Sequence, residues 1–273
     1  MKILAVTVVY NPSAEMLLRS VASYAGSVDK VLVWRNSALP AALEEELTAL
    51  GCELRNDGVN VGIAKALNAA WHEAASGGYD ALLTMDQDSV WHGFDGFLAA
   101  VCAADAPAGF YSPLICQNGE EPAFFDGFVP VDTAFTSGML VPLAVLARVG
   151  GWDESFMVDG VDNEFCLHAL SLGIRCWRSS AGWLEHRLGR VEFRNFLGLK
   201  FRVYKYSPER LYGIYRNNLT AIRRYPDVSG GFRRQFCRGW GWRRPLRMLL
   251  GEKDLCAKFR AIRRGVKDAK RQR

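Results

Sequence analysis

The stretch Ala81-Leu82-Leu83-Thr84-Met85-Asp86-Gln87-Asp88-Ser89 constrains this chain more than any other. A short apolar run bounded by polar residues reads as a strand buried on both faces. The run ends in two aspartates separated by one residue, at or just past the strand's carboxyl end. Open α/β sheets bind their ligands at that end. Crowded carboxylates repel unless a cation lies between them. Oxygen ligands of this kind suit Mg²⁺ or Mn²⁺. A solvated turn gives the same triplet, so the pattern needs support from elsewhere. An EF-hand does not fit: counting from Asp86, Trp91 takes the glycine position and Phe97 the glutamate position.

The surrounding segments alternate. Strands are expected at 2–10, 30–34, 108–114, 135–141 (interrupted by Ser137-Gly138) and 174–177. Helices are expected at 13–24, 40–50, 62–76, 94–104, 142–149 and 161–172, and the pattern is helical and basic after Pro208. Strands separated by helices indicate a mostly parallel sheet with right-handed crossovers. The irregular segment 117–133 reads as a lid or acceptor loop. There is no internal repeat.

A chain of 273 residues, 49% hydrophobic, buries a substantial core. Its seven cysteines form no C-x-x-C pair, which predicts reduced thiols in a cytosolic protein. The start reads as a strand rather than a signal peptide, and no apolar stretch is long enough to span a bilayer. Charge is polarised. Residues 1–186 carry 9 Lys/Arg against 23 Asp/Glu, a net of −14. Residues 187–273 carry 25 against 6, a net of +19. This predicts an acidic domain, 1–225, and a basic helical appendage, 226–273, that meets an anionic surface. No G-x-G-x-x-G follows the first strand, and neither a P-loop nor a G-x-S-x-G elbow is present. A bound metal substitutes for a glycine loop by holding a diphosphate itself.

Several segments, in order, then resemble glycosyltransferase family 2, the inverting GT-A fold, and most of all its rhamnosyltransferase branch. They are Thr7-Val8-Val9-Tyr10-Asn11, Asn60 to Asn68, Asp86-Gln87-Asp88-Ser89, Thr136-Ser137-Gly138, Phe156 to His168 and Leu184 to Gly189. The resemblance covers roughly residues 3–225. It implies an α/β, Rossmann-like sheet and a nucleotide-sugar donor contacted by Thr7, Tyr10, Asn11, Asn36, Gly62, Lys65, Asn68, Asp86 and Gln87. It implies Mg²⁺ or Mn²⁺ on Asp86, Asp88 and His186, and a catalytic base at Asp162. Ser137, Gly138, Trp152 and Asp159 are the implied acceptor contacts. Arg35 stands where the family carries an aspartate and is a candidate phosphate contact. Tyr212, Tyr215, Arg216 and Asn217 are candidates to close the donor site.

Read from the residues alone, the base is left open among Asp159, Asp162 and Glu164, since an aspartate near a helix start also caps it. Beyond residue 230, arginines interleave with Phe236, Trp240, Trp242, Leu246 and Leu249-Leu250, the pattern of an interfacial helix on anionic lipid. Taken with the basic end, the resemblance implies L-rhamnose transfer from dTDP-L-rhamnose to a lipid-linked glycan, by a peripheral protein at the inner face of the cytoplasmic membrane, with no nucleic-acid partner. The alternatives are a UDP-hexose or UDP-galactofuranose donor, or a catalytically silent membrane- or nucleic-acid-binding protein.

Overall fold

The computed structural model describes residues 1–117, 119–186, 191–196, 199–204 and 206–271, with backbone alone for 191–196 and 199–204. Four strands form a parallel half-sheet: β1 (Ile3–Val9), β2 (Lys30–Arg35), β3 (Cys52–Arg55) and β4 (Ala81–Asp86). The crossovers run through α1 (Ala14–Ala22), α2 (Ala41–Ala49) and α3 (Ile63–Ser76). The second half is mixed. It contains β5 (Ser89–His92), β6 (Phe110–Gln117), β7 (Phe128–Val131), β8 (Met139–Pro142) and β9 (Cys176–His186), with α4 (Phe94–Cys102), α5 (Leu143–Val149) and α6 (Val161–Ser171) between them. The spatial order is β3-β2-β1-β4-β8-β6-β9-β5, and β7 pairs with the other end of β9. β8 is antiparallel to both neighbours, while β6 and β9 are parallel.

Alternation along the buried strands explains the layering. Leu4, Val6, Leu32 and Leu82 face α3, α5 and α6 through one core. Ile3, Ala5, Val31, Val33 and Leu83 face α1, α2 and α4 through another. β3, β5 and β7 were not expected from the sequence; each is four residues long. The strand expected at 135–141 begins only at Met139, because 136–138 form a turn that bonds back to β4 through Gly138 N–H to Thr84 O at 2.7 Å. The strand expected at 174–177 instead runs to His186, across a register shift opposite Pro113/Leu114.

A backbone hairpin, β10 (Val191–Phe196) and β11 (Leu199–Tyr204), precedes α7 (Pro208–Arg224). The basic end folds back on α7. Helices α8 (Gly230–Phe236), α9 (Arg244–Gly251) and α10 (Leu255–Ala269) follow, with a π-helical stretch, Cys237–Arg243, between α8 and α9. Phe232, Phe236 and Met248 join the core that contains Leu4 and Phe110. Glu252 ion-pairs with Arg244 at 2.6 Å and Lys258 at 2.7 Å, tying α9 to α10. At Gly265 a Cβ would lie 2.7 Å from Tyr212 O, so glycine lets α10 approach α7 closely. The seven cysteines are free. Among the described residues, no helix is long and apolar enough to cross a membrane.

Gly138 has φ +77°, and a Cβ there would lie 2.7 Å from Pro113 Cγ and 3.1 Å from the Trp91 ring. Gly138→Ala therefore combines backbone strain with overpacking and is expected to lower stability by about 2 kcal/mol or more. Urea denaturation checks this; an unchanged midpoint refutes it.

Candidate active site

β4 ends at Asp86, the chain turns through Gln87 and Asp88, and β5 leaves antiparallel to the end of β9. The register sets Ser89 opposite His186. Ser89 Oγ and His186 Nδ1 lie 2.7 Å apart. With Nδ1 so engaged, Nε2 is the nitrogen left for a metal, and such a partner fixes the ring and its tautomer. Asp86, Asp88 and His186 each offer one ligand atom, all within 4.8 Å of one another. Two carboxylates and an imidazole fit Mn²⁺ or Mg²⁺.

The turn is pinned from several sides. Asp86 N–H donates to Ser137 Oγ at 3.1 Å, and Ser20 Oγ donates to Asp86 O at 3.3 Å. The Gln87 amide clamps Tyr10, accepting its N–H at 2.7 Å and donating to its carbonyl at 3.2 Å. Phe135 stacks on the His186 ring, with centroids 5.6 Å apart.

Asp86, Asp159, Asp162 and His186 line one cleft of about 1040 Å³. Asp162 stands in the first turn of α6, behind Gly160 at φ 82°, and its Oδ1 accepts the Asn163 N–H at 2.8 Å. Burial, aided by the charges of Asp86 and Asp159, outweighs that hydrogen bond and pushes the Asp162 carboxyl up to about 6. Asp86 is also raised: burial dominates, His186 opposes it and Asp88 adds to it. Burial raises Asp159 against the pull of Arg210, its partner at 3.3 Å. Glu164 is turned away from the cleft. Its carboxylate accepts from Tyr225 Oη at 2.7 Å and pairs with Arg224 at 3.3 Å. Of the three candidate bases, Asp159 and Asp162 reach the cleft.

Several other expected contacts are placed differently. Thr7 is fully buried and its hydroxyl bonds Tyr24 Oη, because β1 turns that face into the core. Asn36 is buried and bonds Gly62 O at 3.1 Å and Val61 N–H at 3.3 Å, bracing the loop before α3. Ile63 N–H donates to Met157 O at 2.8 Å, and Gly62 abuts Met157. Asn68 accepts the Trp152 N–H and donates to Trp152 O, both at 2.9 Å, so it staples a loop rather than meeting a donor. Trp152 is only 2% exposed and stacks on Phe165, which removes it as a sugar platform. Ser137 and Gly138 are buried behind the turn and support Asp86 rather than an acceptor.

Arg35 does not reach toward a phosphate: Glu44 holds it at 2.5 Å and Asn56 O at 2.9 Å. Tyr215 Oη bonds Trp240 O, Tyr212 Oη bonds Asp268, Arg216 bonds Ser155 O and Asn217 bonds Asp159 O. These four brace the loop before α6, the π-helical stretch and α10. Tyr10, Asn11 and Lys65 are exposed. Of the stretch 184–189, residues 187–189 lie outside the described residues.

Ser89 was missed as a site residue. It followed the acidic pair in the sequence, but its role depends on a pairing partner 97 positions away. The cleft wall formed by Phe236, Trp240, Arg244 and Arg247 was missed too, since these residues read as a tail, and Arg210, which joins them, carried no signal of its own.

The strand order, the acidic turn at the end of β4 and the histidine beside it define the GT-A glycosyltransferase fold. Staphylococcus aureus TarS 1–349 in complex with UDP-GlcNAc matches with a TM-score of 0.63 at 15% identity, covering 98% of this chain and 82% of that one. GalNAc-T7 with UDP, GalNAc and Mn²⁺ matches with a TM-score of 0.61 at 12% identity, covering 95% and 53%. The dTDP-rhamnosyl transferase RfbF of Shigella flexneri is 28% identical over 185 residues, 61% of this chain. The match spans 62% of that relative's length. No family model matches the chain.

Removal of the Ser89 hydroxyl leaves the His186 ring without its orienting partner. Ser89→Ala is expected to weaken Mn²⁺ binding about 10–100-fold. Calorimetric titration of the metal checks this; parent-like affinity refutes it.

Proposed function

We propose that this protein is an inverting, metal-dependent glycosyltransferase. The observation that carries the reading is one cleft lined by Asp86 and His186, two members of a metal-suited triad completed by Asp88, and by a half-buried carboxylate, Asp162, that no cation among the described residues pairs. Asp86, Asp88 and His186 would hold a divalent ion, which when bound would supply charge neutralisation for a departing nucleoside diphosphate. Asp162 takes the proton from the acceptor hydroxyl as that oxygen attacks the sugar's anomeric carbon. The Ser89–His186 bond holds the imidazole, and Ser137 and Gln87 hold the turn, so the carboxylates keep their places during the reaction. Asp159, at the cleft edge, accepts hydrogen bonds from acceptor hydroxyls.

The donor in this reading is dTDP-L-rhamnose, supported by the named activity of RfbF. A UDP-sugar is the second reading, supported by the UDP-containing structures of TarS and GalNAc-T7. A panel of nucleotide sugars with Mn²⁺ or Mg²⁺, scored for acceptor-free hydrolysis and diphosphate release, decides between them. No turnover of any donor, or undiminished turnover in excess chelator, overturns the reading. Asp162→Asn is expected to bind nucleotide as the parent does and to retain about 1% of the rate or less. With a base pushed up to about 6, parent activity should fall about tenfold per pH unit below that value, since the protonated form accepts no proton. A flat profile between pH 4.5 and 7 counts against Asp162.

The acceptor in this reading is a lipid-linked glycan, reached from a membrane surface. Trp242 is 80% exposed, and α9 turns Leu246 and Leu249 outward at 57% and 58%, beside Arg243 and Arg247. Exposed apolar side chains among arginines favour anionic bilayers. Co-sedimentation with phosphatidylglycerol vesicles should fall as salt rises and fall further in a Trp242→Ser, Leu246→Ser, Leu249→Ser variant. Equal binding to neutral phosphatidylcholine vesicles refutes it.

A further inference from the structure

The cleft is lined by acids and bases alike: Asp86, Asp159 and Asp162, and Arg178, Arg210, Arg244 and Arg247. The guanidiniums of Arg210 and Arg244 lie 5.1 and 5.2 Å from the centroid of a single ring, Tyr206. Two cations on one ring are therefore within about 10 Å of each other. Arg247 follows Arg244 by three residues on α9 and so shares its face. The Nε of Arg178 is buried with no hydrogen-bond partner among the described residues. Asp159 accepts from Arg210 Nε, and a different acid, Glu252, pairs with Arg244.

Guanidinium forks meet phosphate oxygens in pairs, and like charges gathered in a cleft are relieved by an anion placed among them. We propose that the Arg210–Tyr206–Arg244 clip, with Arg247, binds a phosphate or diphosphate group carried by the acceptor. This deepens the glycosyltransferase reading and rests on it: the aspartates take the donor's metal, and the arginines take the acceptor's anion. Asp159, partner of Arg210, links acceptor seating to the base loop. The anion belongs to a lipid headgroup or to a lipid-free phosphorylated glycan; the clip recognises their shared chemistry.

The test uses the full chain in excess chelator, so that no divalent ion bridges a probe to the aspartates. Inorganic diphosphate and geranyl diphosphate are titrated calorimetrically against the parent, Arg210→Gln, Arg247→Gln and Asp88→Asn. Arg244 is left in place because it is buried against Glu252. Both probes should bind the parent, each arginine variant should weaken them about tenfold, and Asp88→Asn should bind as the parent does. Tighter binding of the geranyl compound assigns the lipid source, and equal binding assigns the lipid-free one. No binding of either probe, binding unmoved in both arginine variants, or loss in Asp88→Asn overturns the proposal. Thermal melts confirm that each variant is folded. Parallel titrations of dTDP and UDP with Mn²⁺ separate the two readings. Nucleotide binding without diphosphate binding rejects the clip alone; diphosphate binding without nucleotide binding rejects the glycosyltransferase reading alone.

Discussion

The site depends on one backbone pairing, the antiparallel ladder that sets Ser89 opposite His186. A slip of one residue would turn every side chain of that short strand to the opposite face. Ser89 would leave the imidazole, and the acidic turn would lose its third ligand. The pairing is protected by what lies on either side of it. Val90 is buried, Trp91 packs against Phe94 and Phe97, and Gln117 at the end of β6 pairs with His186 from the other side. Four strand residues are thus held by a core far larger than themselves.

The charges of the cleft follow from burial as much as from proximity. Asp86, Asp159 and Asp162 would repel if all were ionised in a dry wall, and burial raises each of them. A cation on the triad and the guanidinium beside Asp159 are the two natural sources of relief, and they act on different carboxylates. Asp162, which lines the same cleft, keeps the basicity a proton acceptor requires. Glu164, two residues on, is removed from this balance by α7, whose Arg224 and Tyr225 claim it.

Legibility in the sequence tracked how local the cause was. The strand 81–86 was readable because its apolar run and acidic end are contiguous, and the parallel half-sheet followed from strands and helices in alternation. Asp86, Asp88, Asp162 and His186 were named in advance, and the structure brings them to one cleft or one cluster. Thr7, Asn68, Trp152 and Ser137 were named too, yet their partners are Tyr24, the Trp152 backbone, Phe165 and the Asp86 backbone. A polar or aromatic residue near a site looks the same in sequence whether it faces a ligand or props the loop that does. β9 runs on past the expected end at 177, through Ser179-Ser180-Ala181-Gly182, where β6 shifts register beside it. The basic wall was illegible for a different reason: a charge run declares its sign, but only packing on α7 reveals which arginines turn inward.

The loop that leads into α6 is held by buried or paired side chains at Trp152, Asp153, Phe156 and Asp159, and between them by its main chain. Asn68 bonds the backbone of Trp152, Arg216 the carbonyl of Ser155, Asn217 the carbonyl of Asp159, and Met157 O accepts from Ile63 N–H. Its outward side chains, Ser155, Met157 and Val158, are exposed, and Val158 borders the cleft. The path of the loop is therefore separable from the identity of these side chains. Evolution or a designer can exchange residues at those positions to retune which acceptor is welcomed, while the carboxylate a few residues on stays in register with the chemistry.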